Sequence, residues 1–558
     1  MTSPTRMRGA LAAALVAALA LAGCAGIPTT GPVGTVDIDT GSDDGRLLVL
    51  PPGPQAGDGP EQILAGFLGA QRAPQGNYSV ARQFLSDTLR GEWSPTARVR
   101  VSDSPVAPVE TPDGGLHVDM TVSAVVDATG AYQQLRDPER DGLDYSFVRN
   151  SDGEWRISSA PEGSVISTRG FENSFTATPL YFFDPSGTAL VPDVRWFPDA
   201  PGRADRITRA LLAGPSPWYQ NGVLITAFPS GAAIDPGVTV ANGTATIALT
   251  ADVASQDDDA RWRMLQQARL TLLSLSEVRD VQLTAGGFPL DVAEGDSAES
   301  SFVVASDPLG LADGGFGYLS SSAVEGLPRL SADIERLAPL GAVVARNRQS
   351  AAVRSAEGVW LVAAGAPPLL LDQRRGLVDP GLDAQGFVWS AVADAADSIV
   401  ALDASGVPHP ISAPNLDGEI VSLEVSRDGS RLIIATQDAS GPALTLAGIV
   451  RGGDGVPTGF GEPLSLPVGT AQLLDAAWLD ASTVVTLSRD STGVRVDSYR
   501  IGGRHESLGH LDAGVQLVGG NFVDGVRVRA EDGTVWRRNS SGGWQKTAVV
   551  ASFLATQQ

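Results

Sequence analysis

Residues 422–435 read SLEVSRDGSRLIIA: a strand-like run from Ser422 to Val425, a tight turn at Asp428-Gly429, and an apolar run from Leu432 to Ala435. Asp-Gly between two such runs is a strong hairpin signal, because glycine reaches the positive φ that a tight turn requires. The same strand, acidic or glycine turn, strand unit recurs. It appears at Ala352–Val362 around Glu357-Gly358, at Val378–Trp389 around Gly386, and at Leu474–Val485 around Asp480-Ala481. From Gly358 through Gly386 and Gly429 to Ala481 the turns lie 28, 43 and 52 residues apart. Spacings of about 40–50 residues with four short strands each mark propeller blades. The first interval is too short for a whole blade, and a pair of β-sandwiches is the competing architecture. Helical periodicity vanishes from residue 316, so 316–558 is expected to be an all-β propeller domain, closed by a last hairpin between Phe522 and Trp544.

Upstream the periods change. Residues 294–315 read as a linker, and 175–293 as an α+β domain. It opens with a hairpin, Thr178–Asp184 and Leu190–Pro198 around Pro185-Ser186-Gly187, and a helix at 201–213 stopped by Gly214-Pro215. Strands are expected at 223–228, 238–241 and 244–249. A long helix at 260–276 with Met264, Ala268, Leu272 and Leu275 on one face follows, then a strand from Val278 to Leu283. Residues 60–168 form another α+β domain. Ile63, Leu64, Phe67 and Leu68 share a helical face, as do Tyr78, Ala81, Phe84, Leu85 and Leu89. Period-two runs then appear at 97–101, 116–122, 145–149 and 154–157. Helices first and a strand meander after them resemble a nuclear-transport-factor-2-like cone.

The N-terminus carries an export signal. Arg6 and Arg8 precede thirteen apolar residues, Ala10 to Ala22, and the run ends Leu21-Ala22-Gly23-Cys24. As a helix this run spans roughly 20 Å, too short for a hydrocarbon core of about 30 Å. A removable signal peptide over 1–23 is expected, cut between Gly23 and Cys24. Cys24 is the only cysteine in the chain, so no disulfide can form within it and stability must come from packed cores. Residues 24–59, crowded with Gly, Pro, Thr and Asp, read as a flexible spacer with an edge strand at 45–50.

The formal net charge of −24 argues against nucleic-acid binding and against broad adhesion to anionic headgroups. Lys546, the only lysine, has no glycine loop before it, so a phosphate-cradling P-loop is excluded. No G-x-S-x-G elbow is present. His505 and His510 stand five apart, about 140° from each other on a helix, and glycines 503 and 509 oppose a helix altogether, so the zinc-helix pattern is not met. His117 and His409 stand alone. Asp257-Asp258-Asp259 reads as the start of a helix, favoured by its dipole, more readily than as a calcium loop. Trp196, Trp360, Trp389 and Trp478 sit in alternating contexts that suit core packing. No catalytic, metal or cofactor residue rises above background.

The tetrad LAGC resembles the bacterial lipobox. Tyr181-Phe182-Phe183-Asp184, Leu190-Val191-Pro192, Leu211 to Ser216 (LLAGPS) and Thr271-Leu272 resemble the GerMN domain of spore-germination lipoproteins, in which L-L-x-G-P is a frequent signature. Lipobox, α+β domain, GerMN-like domain and propeller together are similar to the actinobacterial lipoprotein LpqB family. That resemblance implies S-diacylglycerol and N-acyl (palmitate-type) chains on Cys24, and a lipid-anchored, non-enzymatic protein on the extracytoplasmic face of the cell membrane. It also implies a partner, the extracellular domain of a sensor histidine kinase of the MtrAB two-component type, whose envelope and division signalling the protein would modulate. No cofactor and no nucleic acid are implied. Two other classes stay open: an envelope lipoprotein holding a peptidoglycan fragment or small solute, and a hydrolase in the propeller channel. Clustered carboxylates with histidine at the channel mouth would favour the hydrolase; a mixed or apolar flat face would favour a protein partner.

Overall fold

The computed structural model describes residues 51–558 except 105, 106, 321, 322, 413–415 and 540. The signal segment, the Gly23-Cys24 cleavage point and the spacer strand at 45–50 lie outside the described residues.

Three helices open the first domain: Pro60–Ala70, Gln75–Gln83 and Asp87–Glu92. The apolar face expected from Tyr78 to Leu89 is divided between the last two. Ser86 ends one and caps the next, its Oγ accepting from Leu89 N, while its own N–H donates to Ile157 O across the domain. The sheet runs in the order Trp155–Ser159, Tyr132–Arg149, Leu116–Asp127, Arg98–Val101, Ser164–Ile166. In its central strand Leu116, Val118, Met120, Val122, Ala124 and Val126 alternate inward, as period two demands of a sheet with one face covered. Ile63, Leu64 and Phe67 of the first helix close that core, with Phe67 and Trp93 ring centroids 5.1 Å apart.

The second α+β region starts with the hairpin Phe175–Phe183 and Leu190–Pro198. Strands Ile234–Ala241, Thr244–Leu249 and Asp280–Ala285 form a separate sheet, edged by Phe288–Pro289. Its two middle strands are parallel, so their connection must cross over, and helix Asp258–Leu272 is that crossover. Asp257 caps it, Oδ1 accepting from Ala260 N at 2.8 Å. Residues 223–228, expected as a strand, join no sheet. Only Ile225 bridges to Phe183, because Val223, Leu224 and Phe228 are drawn into the core instead.

The C-terminal region is all-β and forms six blades among the described residues. Blades 2 to 6 begin with the inner strands Gly341–Val344, Gly381–Leu382, Glu419–Val425, Gln472–Trp478 and Gln516–Val518. Blade 1 is assembled from both ends of the region: Phe553–Gln557 is its inner strand, pairing antiparallel with Leu309–Ala312 and parallel with blade 2. This corrects two expectations. The strand Leu309–Ala312 falls inside the stretch read as linker. The ring closes with Phe553–Gln557, whereas the hairpin between Phe522 and Trp544 belongs to blade 6, since a ring can be sealed only by a strand beyond its last complete blade. The short first interval also has a cause. Gly358 sits in the second hairpin of blade 2, whereas Gly386, Gly429 and Ala481 sit in the first hairpins of theirs. From Asn347, in the matching turn, to Gly386 is 39 residues.

Candidate functional site

On the propeller axis, polar side chains from the inner strands are spent on joining blades. Glu424 of blade 4 accepts from Trp478 N of blade 5 at 2.5 Å. Asp475 of blade 5 accepts from Leu517 N of blade 6 at 2.7 Å. Gln516 of blade 6 accepts from Leu554 N of blade 1 at 2.9 Å and donates to its carbonyl at 2.8 Å. Each inner strand thus caps a backbone group of the next, which a ring needs because neighbouring inner strands diverge too far to pair fully. Burial pushes the Glu424 carboxyl up to about 7 against the bonds from Trp478 N–H and the Thr556 hydroxyl. Burial likewise pushes Asp475 up to about 7 against the N–H groups of Leu517 and Ala476. Farther round, Arg354 pairs with Asp379 at 2.7 Å.

The histidines stand elsewhere. His505 and His510 lie on the outer strand of blade 5, and His409 on the outer strand of blade 3. His117 lies in the first domain, between Asp144 and Asp119. Among the described residues no three His, Cys, Asp or Glu side chains gather as they would around a metal ion. Trp389 is buried with its N–H on Asp383 at 3.0 Å, and Trp360 donates to Ser355 at 3.0 Å, so both pack blades.

The densest polar chemistry lies where the three regions meet. Asp193 and Arg195, from the second strand of the middle hairpin, are both buried and paired at 2.7 Å. Asp193 accepts from Ser216 N and Oγ, each at 2.8 Å, and Arg195 donates to Gly214 O at 3.0 Å. That is how the LLAGPS segment is held: its helix ends at Gly214 (φ +95°), and the orphaned carbonyl finds a guanidinium. Arg195 also donates to Thr129 O of the first domain at 3.2 Å.

From there the chain turns through Pro217–Tyr219 into the propeller. The Tyr219 hydroxyl donates to Pro192 O at 3.3 Å and accepts from Arg431 at 3.0 Å. Arg431, fully buried in blade 4, also donates to Ala481 O at 2.7 Å, pairs with Asp428, and lies over the Trp478 ring at 4.7 Å. Burial opposes the charge on Arg431, yet Asp428 and the Tyr219 ring oxygen outweigh it and hold the pKa above the ordinary value. The guanidinium in turn holds the buried Asp428 below the usual carboxylate range. A continuous relay therefore runs from Thr129 through Arg195, Asp193, Ser216 and Tyr219 to Arg431 and Asp428.

Apolar packing follows the same path. Val223 enters the propeller over Gly448 and Gly461, where a Cβ would approach its methyls within 2.5 and 2.8 Å. One hydrophobic core includes Leu211, Tyr219 and Val223 together with Ile433, Leu446, Trp478 and Tyr499. Trp196 donates to Gly502 O at 2.7 Å, Gln134 meets His505 at 2.9 Å, and Arg504 pairs with Glu172, so blade 5 touches both other regions. The sequence singles out the LLAGPS segment, Asp428, Trp196, Trp478 and His505 for other reasons, none of which brings them together here. The junction's one readable sign is Gly448 inside a strand of apolar residues, since a mid-strand glycine marks close backbone approach.

Three family models match the chain in order. "Lipoprotein LpqB, N-terminal domain" covers residues 53–172, "Sporulation and spore germination" covers 179–291, and "Lipoprotein LpqB beta-propeller domain" covers 316–552. Curated relatives carry the name Lipoprotein LpqB. That of Cutibacterium acnes is 32% identical over 53% of this chain, an alignment that spans about half (49%) of the relative. Those of Thermobifida fusca and Bifidobacterium longum are 25% and 26% identical, over 96% and 83% of this chain and 98% and 82% of theirs. Among solved structures, the first GerMN domain of the sporulation protein GerM from Bacillus subtilis is 20% identical, covering 22% of this chain and 97% of that one, with a TM-score of 0.18. With its first and last regions matched by the family's own models, its middle region by the spore-germination model, and nearly its full length by a relative of that name, the chain belongs to the lipoprotein LpqB family.

Proposed function

We propose that this protein is anchored by acyl chains on Cys24, after cleavage at Gly23, on the extracytoplasmic face of the cell membrane. There it acts without catalysis as a docking partner for the extracellular domain of an MtrAB-type sensor kinase. The lipidation reading rests on the lipobox and on the family's name. The docking reading rests chiefly on one observation, the buried relay from Thr129 to Asp428 that fastens the three regions into a single platform. A platform that does not flex between domains loses little entropy on binding. The axial carboxyls support it too, because Glu424 and Asp475 are occupied in joining blades and no histidine stands with them. The test is pull-down and calorimetry of the lipid-free chain from residue 25 against the extracellular domain of the cognate kinase. Saturable binding, micromolar or tighter, supports the reading; a folded protein that does not bind overturns it. A second reading, an envelope lipoprotein that holds a wall fragment or solute, has separate support in a cleft of the first domain.

A further inference from the structure

In a protein of net charge −24, one cleft of about 380 Å³ in the first domain is lined by three arginines, Arg82, Arg90 and Arg156, with Ser79, Gln83 and Pro54 completing the wall. Two of the guanidiniums are fixed by each other's backbone. Arg82 donates to Arg90 O, and Arg90 donates to Arg82 O at 3.2 Å and to Leu85 O at 3.3 Å. Arg82 donates as well to Asn77 O at 2.9 Å, within the left-handed turn Gly76-Asn77-Tyr78. Arg156, on the adjoining strand, donates to Trp155 O at 2.6 Å. The break between the helices at Leu85-Ser86 is what brings Arg82 and Arg90 together; one continuous helix would have spread them along its length.

The three guanidiniums line one cleft, and the carboxylates near them neutralise little of that charge. Arg90 has Asp87 at 3.3 Å, but that carboxylate is 95% exposed and screened by water. Glu162 acts on Arg82 from a distance while its own carboxylate is engaged by Ser94 N at 2.8 Å. Fixed guanidiniums lining one cleft, with a serine hydroxyl and an amide beside them, match the several acceptor oxygens of a phosphate group. A carboxylate's two oxygens lie in one plane, whereas the tetrahedral oxygens of a phosphate face donors on several sides.

We propose that this cleft binds a phosphate group, as a phosphomonoester or phosphodiester of the envelope. The proposal deepens the second reading above and is independent of whether a kinase binds. The charge of −24 opposes broad adhesion to an anionic surface, yet it leaves a walled site for one phosphate intact. Two sources carry that chemistry, a phospholipid headgroup and a soluble or wall-derived phosphate, and the experiment separates them.

The lipid-free chain from residue 25 would be titrated with inorganic phosphate and with glycerol 3-phosphate by calorimetry at low salt. In parallel it would be floated with phosphatidylglycerol and with phosphatidylcholine vesicles. Arg156→Gln and Arg90→Gln should each weaken binding at least about tenfold, the worth of one charge-assisted hydrogen bond. Asp87→Asn should tighten it about twofold, an effect that a folding defect cannot mimic. Thermal unfolding of each variant confirms that it is folded. Binding of the soluble phosphates assigns a soluble or wall source. Flotation with phosphatidylglycerol alone, lost in Arg156→Gln, assigns a headgroup. Neither binding in the folded wild type, or binding unchanged in both arginine variants, overturns the site. Loss of kinase binding would leave every one of these readouts unmoved.

Discussion

Val223 of the middle region occupies the space that a side chain on Gly448 of blade 4 would need, its Cγ1 lying 2.5 Å from where that Cβ would stand. Val223 is β-branched and its neighbours are packed, so it cannot swing aside. Gly448→Ala should therefore destabilise the protein by about 1–3 kcal/mol, read as a lower unfolding midpoint and faster amide exchange along 217–224. Adding Val223→Ala should recover part of the loss, giving a coupling of about 1 kcal/mol in a double-mutant cycle. Strict additivity would mean that the two residues do not meet in solution.

Arg431 carries the polar half of the same junction, and removing it leaves Asp428 buried without its cation. Arg431→Ala should cost about 3–5 kcal/mol, enough to loosen the middle region from the propeller. Tyr219→Phe removes two hydrogen bonds, to Pro192 O and from Arg431, while Arg431 keeps Asp428 and Ala481 O, so about 1–2 kcal/mol is expected. Chemical denaturation of the two variants side by side checks the ranking; a larger loss for Tyr219→Phe contradicts the relay.

Stability should depend on pH through the axis. Glu424 ionises near its ordinary 4.5 when unfolded and at about 7 when buried beside Trp478, Thr556, Asp475 and Arg427. Between those values the folded protein holds a proton that the unfolded chain has released. Its contribution to stability therefore falls as pH rises through this window and levels off above about 7. Glu424→Gln keeps an acceptor for Trp478 N without the charge. Its stability relative to the wild type should be about 2 kcal/mol more favourable at pH 8 than at pH 5.5. A difference that does not change with pH would show that Glu424 is not buried as described.

Cys24→Ala should leave the folded regions unaltered and abolish partition into the membrane fraction, since no helix among the described residues is long and apolar enough to cross a bilayer. Fractionation with acyl-chain labelling checks it. A variant that stays with the membrane removes the lipid anchor from the proposal.

Local signals carried the architecture and stopped at the junctions. Asp428-Gly429 announced its hairpin because a tight turn is written in two adjacent residues, and the helix over 258–272 because its apolar face repeats within itself. The ring's closing strand could not be read so, because Leu309 and Ala555 pair across the whole propeller and neither segment alone looks different from any other strand. Residues 223–228 are apolar and β-branched enough to read as a strand, yet Val223 seats in a glycine-floored hollow in another domain. Nothing beside Asp428-Gly429 marks Arg431 as a buried charge, and its partner Tyr219 arrives from another region of the chain. The arginine cleft was hidden for a related reason. Ser86, read inside a continuous apolar face, in fact breaks the helix and folds Arg90 back toward Arg82.

The strand Phe553–Gln557 also sets the timing of the protein's birth. Until the ribosome has delivered it, the other blades can form only an open arc, with Leu309–Ala312 and Gly341–Val344 lacking the neighbour between them. The helical and hairpin-rich regions upstream can mature first, but ring closure is the most non-local strand pairing among the described residues and comes late. A chain cut short before Phe553 would keep bare strand edges, the feature that proteases and aggregation both exploit. Closure of the ring thus doubles as a proof-reading step, which only molecules that contain Phe553–Gln557 can pass.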